Sequence, residues 1–266
     1  MKQIFIIILI ALSVGNTNAA KRIISLAPSL TKIIYSLDAK TNLVGCTSYC
    51  ETEKCLNTAV VASMVQINTE KIFLLKPDIV LATSITKLSE IEALRRLGLK
   101  VTVFNTPKSF AEICSQFLDI ATLIGKKEKA TQIVAMHREK VEHLRKSINQ
   151  RSKPSIFFQI GANPLFTVIP NTFMDDYITF SGGVNIASGF TQGTITRESV
   201  VMRNPEVIFI VTMGIVGPEE KKIWEGYPNI NAVKNKKIFI IESEKACVAT
   251  PQNFSEVLEL LIQLIY

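Results

Sequence analysis

Residues 68–83 read NTEKIFLLKPDIVLAT, and this stretch predicts a helix that passes directly into a strand. Asn68 or Thr69 can cap the helix, and Glu70 stands in the first turn, where a negative charge suits the helix dipole. Pro77 ends the helix because proline disfavours helical geometry in the residue before it. The apolar run that follows predicts a buried strand.

The same order of features recurs about half a chain later, in residues 196–212, TRESVVMRNPEVIFIVT. Glu70 corresponds to Glu198, and Asp78 corresponds to Glu206. One helix–Pro-acid–strand unit used twice suggests two related lobes. The alternative is that unrelated helix-to-strand joints share this pattern.

The first twenty residues have the features of a secretory signal peptide. Lys2 is a minimal basic region, residues 4–14 are apolar, and residues 16–20 end in small side chains that favour cleavage after Ala19 or Ala20. No cysteine follows the cleavage point, so nothing there suggests a lipid anchor. We expect an exported protein, most simply one of the periplasm.

Predicted strands alternate with predicted helices in both halves of the chain, which favours parallel βαβ units. No strand is predicted between Ser109 and Gln150, and the helix that begins at Lys127 acts as a stiff connector. We therefore predict an α/β fold of two Rossmann-like lobes with parallel central sheets. The predicted boundaries are a signal peptide at 1–20, lobes at 21–125 and 153–266, and a connecting helix at 126–152.

The chain carries none of the common catalytic, phosphate-binding or zinc-binding motifs. His137 and His143 are six residues apart on the predicted connector and face different ways, so a metal pair is not expected. The net charge of +7 comes from dispersed lysines, which favours a solvated surface over a nucleic-acid partner. No cofactor is expected, and an exported α/β enzyme stays open only if Cys50 or Cys247 meets a histidine.

Three of the five cysteines lie close together in sequence, at Cys46, Cys50 and Cys55. A local Cys50–Cys55 disulfide is the simplest arrangement in an oxidising compartment. A thiolate metal cluster of all three is the alternative.

Open α/β sheets bind ligands at the carboxyl ends of their strands. Candidate ligand-binding residues at those ends are Pro28, Ser29, Tyr49, Cys50, Met64, Thr83 and Ser84 in the first half, and Phe166, Thr167, Gln192 and Glu244 in the second. Trp224 is a further ligand-binding candidate, since it lies beyond a helix and could reach the mouth of a cleft; the alternative is that it packs in the core.

Several segments together resemble class III periplasmic substrate-binding proteins of ABC importers, nearest to the cobalamin-binding and iron-siderophore-binding members. They are RIISLAPSLTKIIYSL (22–37), LVGCTSYC (43–50), NTEKIFLLKPDIVLA (68–82), LRRLGLKVTVF (94–104), QIGANPLFT (159–167), SGGVNIA (181–187) and ITRESVVMRNPEVIFI (195–210). The resemblance implies two lobes joined by one long helix, with a small-molecule ligand in the cleft between them. It also implies that Glu70 and Glu198 dock onto an inner-membrane permease, and we expect a monomer.

The resemblance leaves the ligand open among a cobalamin-like corrinoid, an iron chelate, haem and a metal ion. Tyr49 and Phe166 keep aromatic positions of the cobalamin binders. Met64, Thr83 and Gln192 stand where those proteins carry tryptophan. Glu244 matches an acidic cleft residue, and Lys32 replaces a glutamate in segment 22–37.

Overall fold

The computed structural model describes residues 19–50, 58–63, 66–212 and 216–266. The strands are β1 (Ile23–Ser25), β2 (Leu43–Thr47), β3 (Ala59–Ala62), β4 (Ile79–Thr83), β5 (Val101–Phe104), β6 (Ser155–Ala162), β7 (Leu165–Thr167), β8 (Val184–Asn185), β9 (Val207–Val211) and β10 (Ile238–Ile241). The α-helices are α1 (Pro28–Ser36), α2 (Thr69–Leu74), α3 (Leu88–Arg96), α4 (Phe110–Leu123), α5 (Lys127–Ser147), α6 (Phe173–Phe180), α7 (Arg197–Arg203), α8 (Gly217–Glu225), α9 (Asn231–Lys234), α10 (Ser243–Ala246) and α11 (Pro251–Ile265). The predicted α/β class is confirmed.

The first sheet has the order β3-β2-β1-β4-β5, and all its strand pairs are parallel. Its central strands are almost entirely apolar, as expected for a parallel sheet covered on both faces. The order of connection reverses between β1 and β4. A crevice at the carboxyl ends of these two strands is therefore the favoured place for a ligand.

The second sheet has the order β10-β9-β6-β7, with β8 also paired to β6. Its β9 and β10 run parallel to β6, but β7 is antiparallel to β6, which corrects the expectation of a purely parallel sheet. Only Asn163 and Pro164 separate β6 from β7. That connection is too short for a crossover, so the chain turns back as a hairpin.

The sequence repeat has a structural counterpart in the backbone. Asp78 Oδ2 accepts hydrogen bonds from the amides of Lys21 and Arg22, just before β1. Glu206 Oε2 accepts one from the amide of Ser155, at the start of β6. The residues before the two repeat prolines, Lys76 and Asn204, are both left-handed with φ of 46°. Each acid thus ties its own strand to the central strand of its sheet.

The connecting helix α5 has 21 residues and is therefore about 30 Å long. It ends at Ser147, a few residues before the predicted boundary. Helix α5 packs against α4 and α11. The ring of Phe254 in α11 stacks between Phe110 of α4 and Tyr177 of α6, at centroid distances of 4.5 and 4.6 Å. The two sheets and these helices contribute to one hydrophobic cluster, so the inner faces of the lobes share a core.

His137 has a packing role on α5. Its Nδ1 lies 2.8 Å from Ser255 Oγ on α11, and burial lowers the pKa of the imidazole below its usual 6.5. Lys140 in the next turn forms a salt bridge of 2.7 Å with Glu259 of the same partner helix. These contacts fix the connector against the closing helix.

The predicted signal peptide falls mostly on residues 1–18, outside the described part of the chain. At the predicted cleavage point, the amide of Ala20 donates to the carbonyl of Leu123 over 3.2 Å. Within the described ranges, none of the helices combines the length and apolar character needed to cross a bilayer.

Candidate functional site

A cavity of about 330 Å³ lies at the carboxyl ends of β1 to β4 in the first sheet. It is lined by Leu26, Ala27, Pro28, Thr47, Tyr49, Ala62, Ser63, Gln66, Ile67, Thr83, Ile85, Thr86, Lys87 and Glu90. The candidates Pro28, Tyr49 and Thr83 therefore converge on one surface. Met64 lies outside the described residues.

The turn from β1 into α1 forms one wall of this cavity. Pro28 is in the first turn of α1, where its fixed φ suits a helix start, and the N-cap position is Ala27. The ligand-binding candidate Ser29 is the second residue of α1 and does not line the cavity. The hydroxyl of Thr31 donates to Ser25 Oγ over 2.8 Å, which ties the first turn of α1 back to β1.

Cys50 supports the wall from behind and does not line the cavity. Its Sγ is buried 3.0 Å from Thr31 Oγ1 and 3.3 Å from Thr47 Oγ1. A hydrogen bond from the Cys46 thiol, with help from both threonines, lowers the pKa of Cys50 to about 6. The predicted partner Cys55 lies outside the described residues, and within the described part no cluster of three or more metal-ligating side chains is present.

The loop after β4 contributes exposed apolar surface. Ile85 is 83% exposed, and Tyr49 across the cavity is 54% exposed. Ser84 is exposed outside the lining, and its amide pairs with Phe104 O over 2.9 Å. Glu90 is oriented by the amide of Ile67, which donates to its Oε1 over 3.2 Å.

In the second lobe, Phe166 is the exposed aromatic candidate at 39% exposure. Its ring lies against Gly193, where an added Cβ would stand 2.3 Å from the ring, so a side chain there would displace Phe166. Gln192 next to it is exposed. Thr167 is buried, and its hydroxyl donates to Phe158 O over 3.1 Å, which gives it a packing role.

Trp224 does not reach a cleft in this structure. It is fully buried, its Nε1 donates to Gln159 Oε1 over 2.7 Å, and its ring packs edge-on against Phe157. The expectation of ligand contact is wrong for Trp224, because the apolar ring and its one donor are both satisfied in the outer core of the second lobe.

A polar contact links the two lobes near the carboxyl edges of their sheets. Lys32 Nζ in α1 donates to the carbonyl of Glu244 in α10 over 3.3 Å. Helix α1 follows β1, and α10 follows β10, so this bond joins the strand ends of both lobes. The Glu244 side chain is exposed beside it.

Glu70 and Glu198 occupy equivalent, exposed first-turn positions in α2 and α7. Side-chain caps order both helices: Asn68 Oδ1 accepts from the amide of Lys71 over 2.8 Å, and Thr196 Oγ1 accepts from the amide of Ser199 over 3.2 Å. Hydrogen bonds from its own backbone amide and from Thr196 lower the pKa of Glu198. Both carboxylates are therefore presented to solvent on fixed turns.

A second cavity of about 450 Å³ lies beside Glu70 and includes Asn68 and Thr69. It shares a wall with the first cavity, formed by residues 62, 63, 66 and 67. In the first lobe, the candidate ligand cavity and the candidate docking carboxylate are thus neighbours.

A buried polar network lies behind Glu198. Arg197 Nη2 donates to Glu220 Oε1 over 2.7 Å, and Gln159 Nε2 donates to the same oxygen over 2.7 Å. The Arg197 guanidinium also lies 4.8 Å from the centre of the Trp224 ring. This network anchors the start of α7 to α8 and β6.

The residues that the sequence did not single out are mainly Thr47, Gln66, Lys87 and Glu90. Thr47 ends β2, and Gln66 follows β3, a short strand that carried no clear periodic signal. Lys87 and Glu90 stand at the first turn of α3. The feature that could have identified these residues in the sequence is their position at or after the end of a strand. Many solvated polar residues share that position, so it does not single them out.

A profile of the periplasmic binding protein family matches residues 23–245 of the chain. The chain belongs to the periplasmic binding protein family. A vitamin B12-binding protein of Yersinia pseudotuberculosis is 31% identical over 209 residues, covering 77% of this chain and 74% of that protein. An uncharacterized ABC transporter substrate-binding lipoprotein of Bacillus subtilis is 28% identical over 250 residues, covering 90% and 78%.

A solved structure described as a possible iron-binding, periplasmic solute-binding protein from Staphylococcus epidermidis has the same fold. It superposes with a TM-score of 0.81 at 26% identity and covers 93% of this chain and 99% of that one. The relatives of the present chain are substrate-binding transport proteins, so the activity of this chain is binding rather than catalysis.

Proposed function

We propose that this protein is an exported carrier that binds a cobalamin-like corrinoid or an iron chelate between its lobes and delivers it to an ABC permease. The proposal is supported by the cavity at the carboxyl edge of the first sheet, beside the exposed side chains of Tyr49 and Ile85, and by the exposed Phe166 in the second lobe. Family membership supplies the transport role, and the predicted signal peptide supplies the route to the periplasm.

The composition of the cavity favours a ligand that is largely apolar and close to neutral. Tyr49 and Ile85 on the first lobe and Phe166 on the second expose apolar surface that water solvates poorly. The charged side chains in the cavity lining are Lys87 and Glu90, one of each sign. A corrinoid, with an apolar macrocycle and neutral amide groups at its rim, has this chemistry.

An iron chelate is the second candidate, and the similarity to the Staphylococcus epidermidis protein favours it. An anionic chelate would need cationic side chains to neutralise its charge. On the first lobe, Lys87 in the cavity lining and Lys32 at the contact with Glu244 could supply them. Replacing Lys32 with alanine should weaken an anionic chelate strongly and a neutral corrinoid little.

Calorimetry on the purified protein tests the ligand. We expect cyanocobalamin or a ferric hydroxamate to bind at micromolar concentrations or below. Tyr49→Ala and Phe166→Ala should each weaken binding about tenfold, because each removes an aromatic contact worth about 1.4 kcal/mol. The exposed residue Met136 on α5 provides the control, and Met136→Ala should leave binding unchanged.

An absence of heat with either ligand class at micromolar protein would overturn the ligand proposal. Equal weakening by the Met136 variant would show that the aromatic effects are not local to the cleft. Mass measurement of the purified protein under native conditions would also check the expected monomer.

We further propose that Glu70 and Glu198 dock onto cationic groups of the permease. The proposal is supported by their equivalent, exposed positions on capped first turns. Charge reversal of both to lysine should abolish transport and leave ligand binding intact. Reversal of two other exposed acids, Glu92 on α3 and Glu225 on α8, is the matched control and should preserve transport. Loss of ligand binding in the Glu70/Glu198 variant would contradict a docking role.

A further inference from the structure

A third cavity, of about 330 Å³, lies at the opposite end of the second lobe from the cleft. It is lined by Glu142, Arg145, Lys146, Ile148, Asn149, Arg151, Lys153, Thr179, Phe180 and Gly182. These residues come from the end of α5, the segment leading into β6, and the end of α6. The eight residues of β6 separate it from the cleft edge by about 26 Å.

The lining carries a marked excess of positive charge, with four cationic side chains and one carboxylate. The carboxylate, Glu142, is bonded to Arg145 over 2.8 Å. No salt bridge or side-chain hydrogen bond involves Lys146, Arg151 or Lys153 among the described residues. Three cations are thus left without a neutralising partner around one concave surface.

Two of the cations are held in place by aromatic rings. The Arg145 guanidinium lies 4.3 Å from the centre of the Phe180 ring, and that of Arg151 lies 4.9 Å from the centre of the Tyr266 ring. The Tyr266 hydroxyl donates to Ser152 O over 2.8 Å, which fixes that ring beside the cavity. A guanidinium stacked by its face keeps its N–H edge available for an anion.

Stabilisation of helix α5 explains only part of this charge. Arg145 and Lys146 lie in the last turn of α5, where cations suit the helix dipole. Arg151 and Lys153 lie beyond the end of the helix and form no part of its last turn. Their position around the same cavity calls for another explanation.

We propose that this cavity is a binding site for a phosphate-bearing anion, independent of the ligand carried in the cleft. Arg151 provides a planar set of N–H donors that matches the geometry of phosphate oxygens, and Lys146 and Lys153 provide point charges on either side. The anion is either a free phosphorylated small molecule or the headgroup of an anionic phospholipid.

Two binding assays on the full protein distinguish these sources. One is calorimetric titration with inorganic pyrophosphate, and the other is cosedimentation with phosphatidylcholine vesicles that do or do not contain phosphatidylglycerol. The test variant combines Lys146→Gln, Arg151→Gln and Lys153→Gln. The control combines Lys100→Gln, Lys222→Gln and Lys234→Gln, three exposed lysines outside the cavity with the same change in net charge.

We expect the test variant to bind at least about tenfold more weakly than the control, with binding of the native protein falling as salt rises. Binding of pyrophosphate would assign a free phosphorylated ligand, and binding only of phosphatidylglycerol vesicles would assign a lipid headgroup. A variant that keeps the charge, Lys146→Arg with Lys153→Arg, should bind like the native protein and guards against misfolding of the test variant.

The proposal is overturned if the native protein binds neither probe. It is equally overturned if the test and control variants weaken to the same extent, since binding would then follow net charge alone.

Discussion

Replacement of Arg197 by methionine should destabilise the second lobe through one buried carboxylate. Arg197 is 22% exposed and Glu220 is 5% exposed, so the variant leaves Glu220 charged in a poorly solvated position. Methionine keeps an apolar stem over the Trp224 ring, so most of the packing is retained. The change therefore tests the ion pair more than the shape of the side chain.

We expect the free energy of unfolding to fall by about 3 kcal/mol. Breaking a buried ion pair by removing one partner costs about 3–5 kcal/mol. The lower end applies for two reasons: Gln159 continues to donate to Glu220, and Arg197 Nη1 is itself buried without a hydrogen-bond partner among the described residues.

Urea unfolding at neutral pH, followed by the fluorescence of Trp224, measures the change. A second variant, Glu220→Gln, combined with Arg197→Met completes a double-mutant cycle. The double variant should recover about 1–2 kcal/mol relative to Arg197→Met alone, because no unpaired charge remains. Lys245→Met is the matched control, since Lys245 and Glu242 form an exposed pair at 60% and 68% exposure, and it should leave stability nearly unchanged.

The reasoning is refuted if Arg197→Met is no more destabilising than Lys245→Met. It also fails if the effects of Arg197→Met and Glu220→Gln simply add, because an uncompensated charge would then not be the cause.

Two further predictions concern pH. Burial lowers the pKa of the His137 imidazole below 6.5, so on acidification the unfolded chain binds a proton at this residue before the folded chain does. The melting temperature should therefore fall as the pH drops below about 6.5, and His137→Gln should weaken this pH dependence in calorimetric melts. Because the hydrogen bond from Cys46 lowers the pKa of Cys50 to about 6, thiolate absorbance at 240 nm should rise near that pH. Cys50→Ser should remove this rise, whereas Cys114→Ser should retain it, since burial raises the pKa of Cys114; an unchanged titration in Cys50→Ser would contradict the assignment.

Much of the secondary structure followed from local signals in the sequence. Ser109 and Thr196 cap α4 and α7 with their side chains. Asn68 rather than Thr69 caps α2, which settles the alternative that the sequence left open. Ser29 does not cap α1, because α1 already begins at Pro28, whose fixed φ suits the first turn.

The site itself was only partly predictable. The sequence placed Pro28, Tyr49 and Thr83 near one another because each lies at or just after the end of a strand, and strand ends in a parallel sheet share an edge. All three line the first cavity. Trp224 was misplaced because its burial depends on how α8 packs over β6, and no local pattern contains that information.

The sequence by itself determined the alternation of strands and helices, the repeated helix–Pro-acid–strand unit and the family of this protein. The secondary structure depends on interactions between residues close together in the chain, and these interactions appear in the sequence as periodic patterns of apolar residues. Only the tertiary structure decided that the two lobes share one core, that Lys32 meets Glu244 across the strand ends, and that three unpaired cations surround one cavity. Those arrangements join segments far apart in sequence, and long-range packing rather than local preference brings them together.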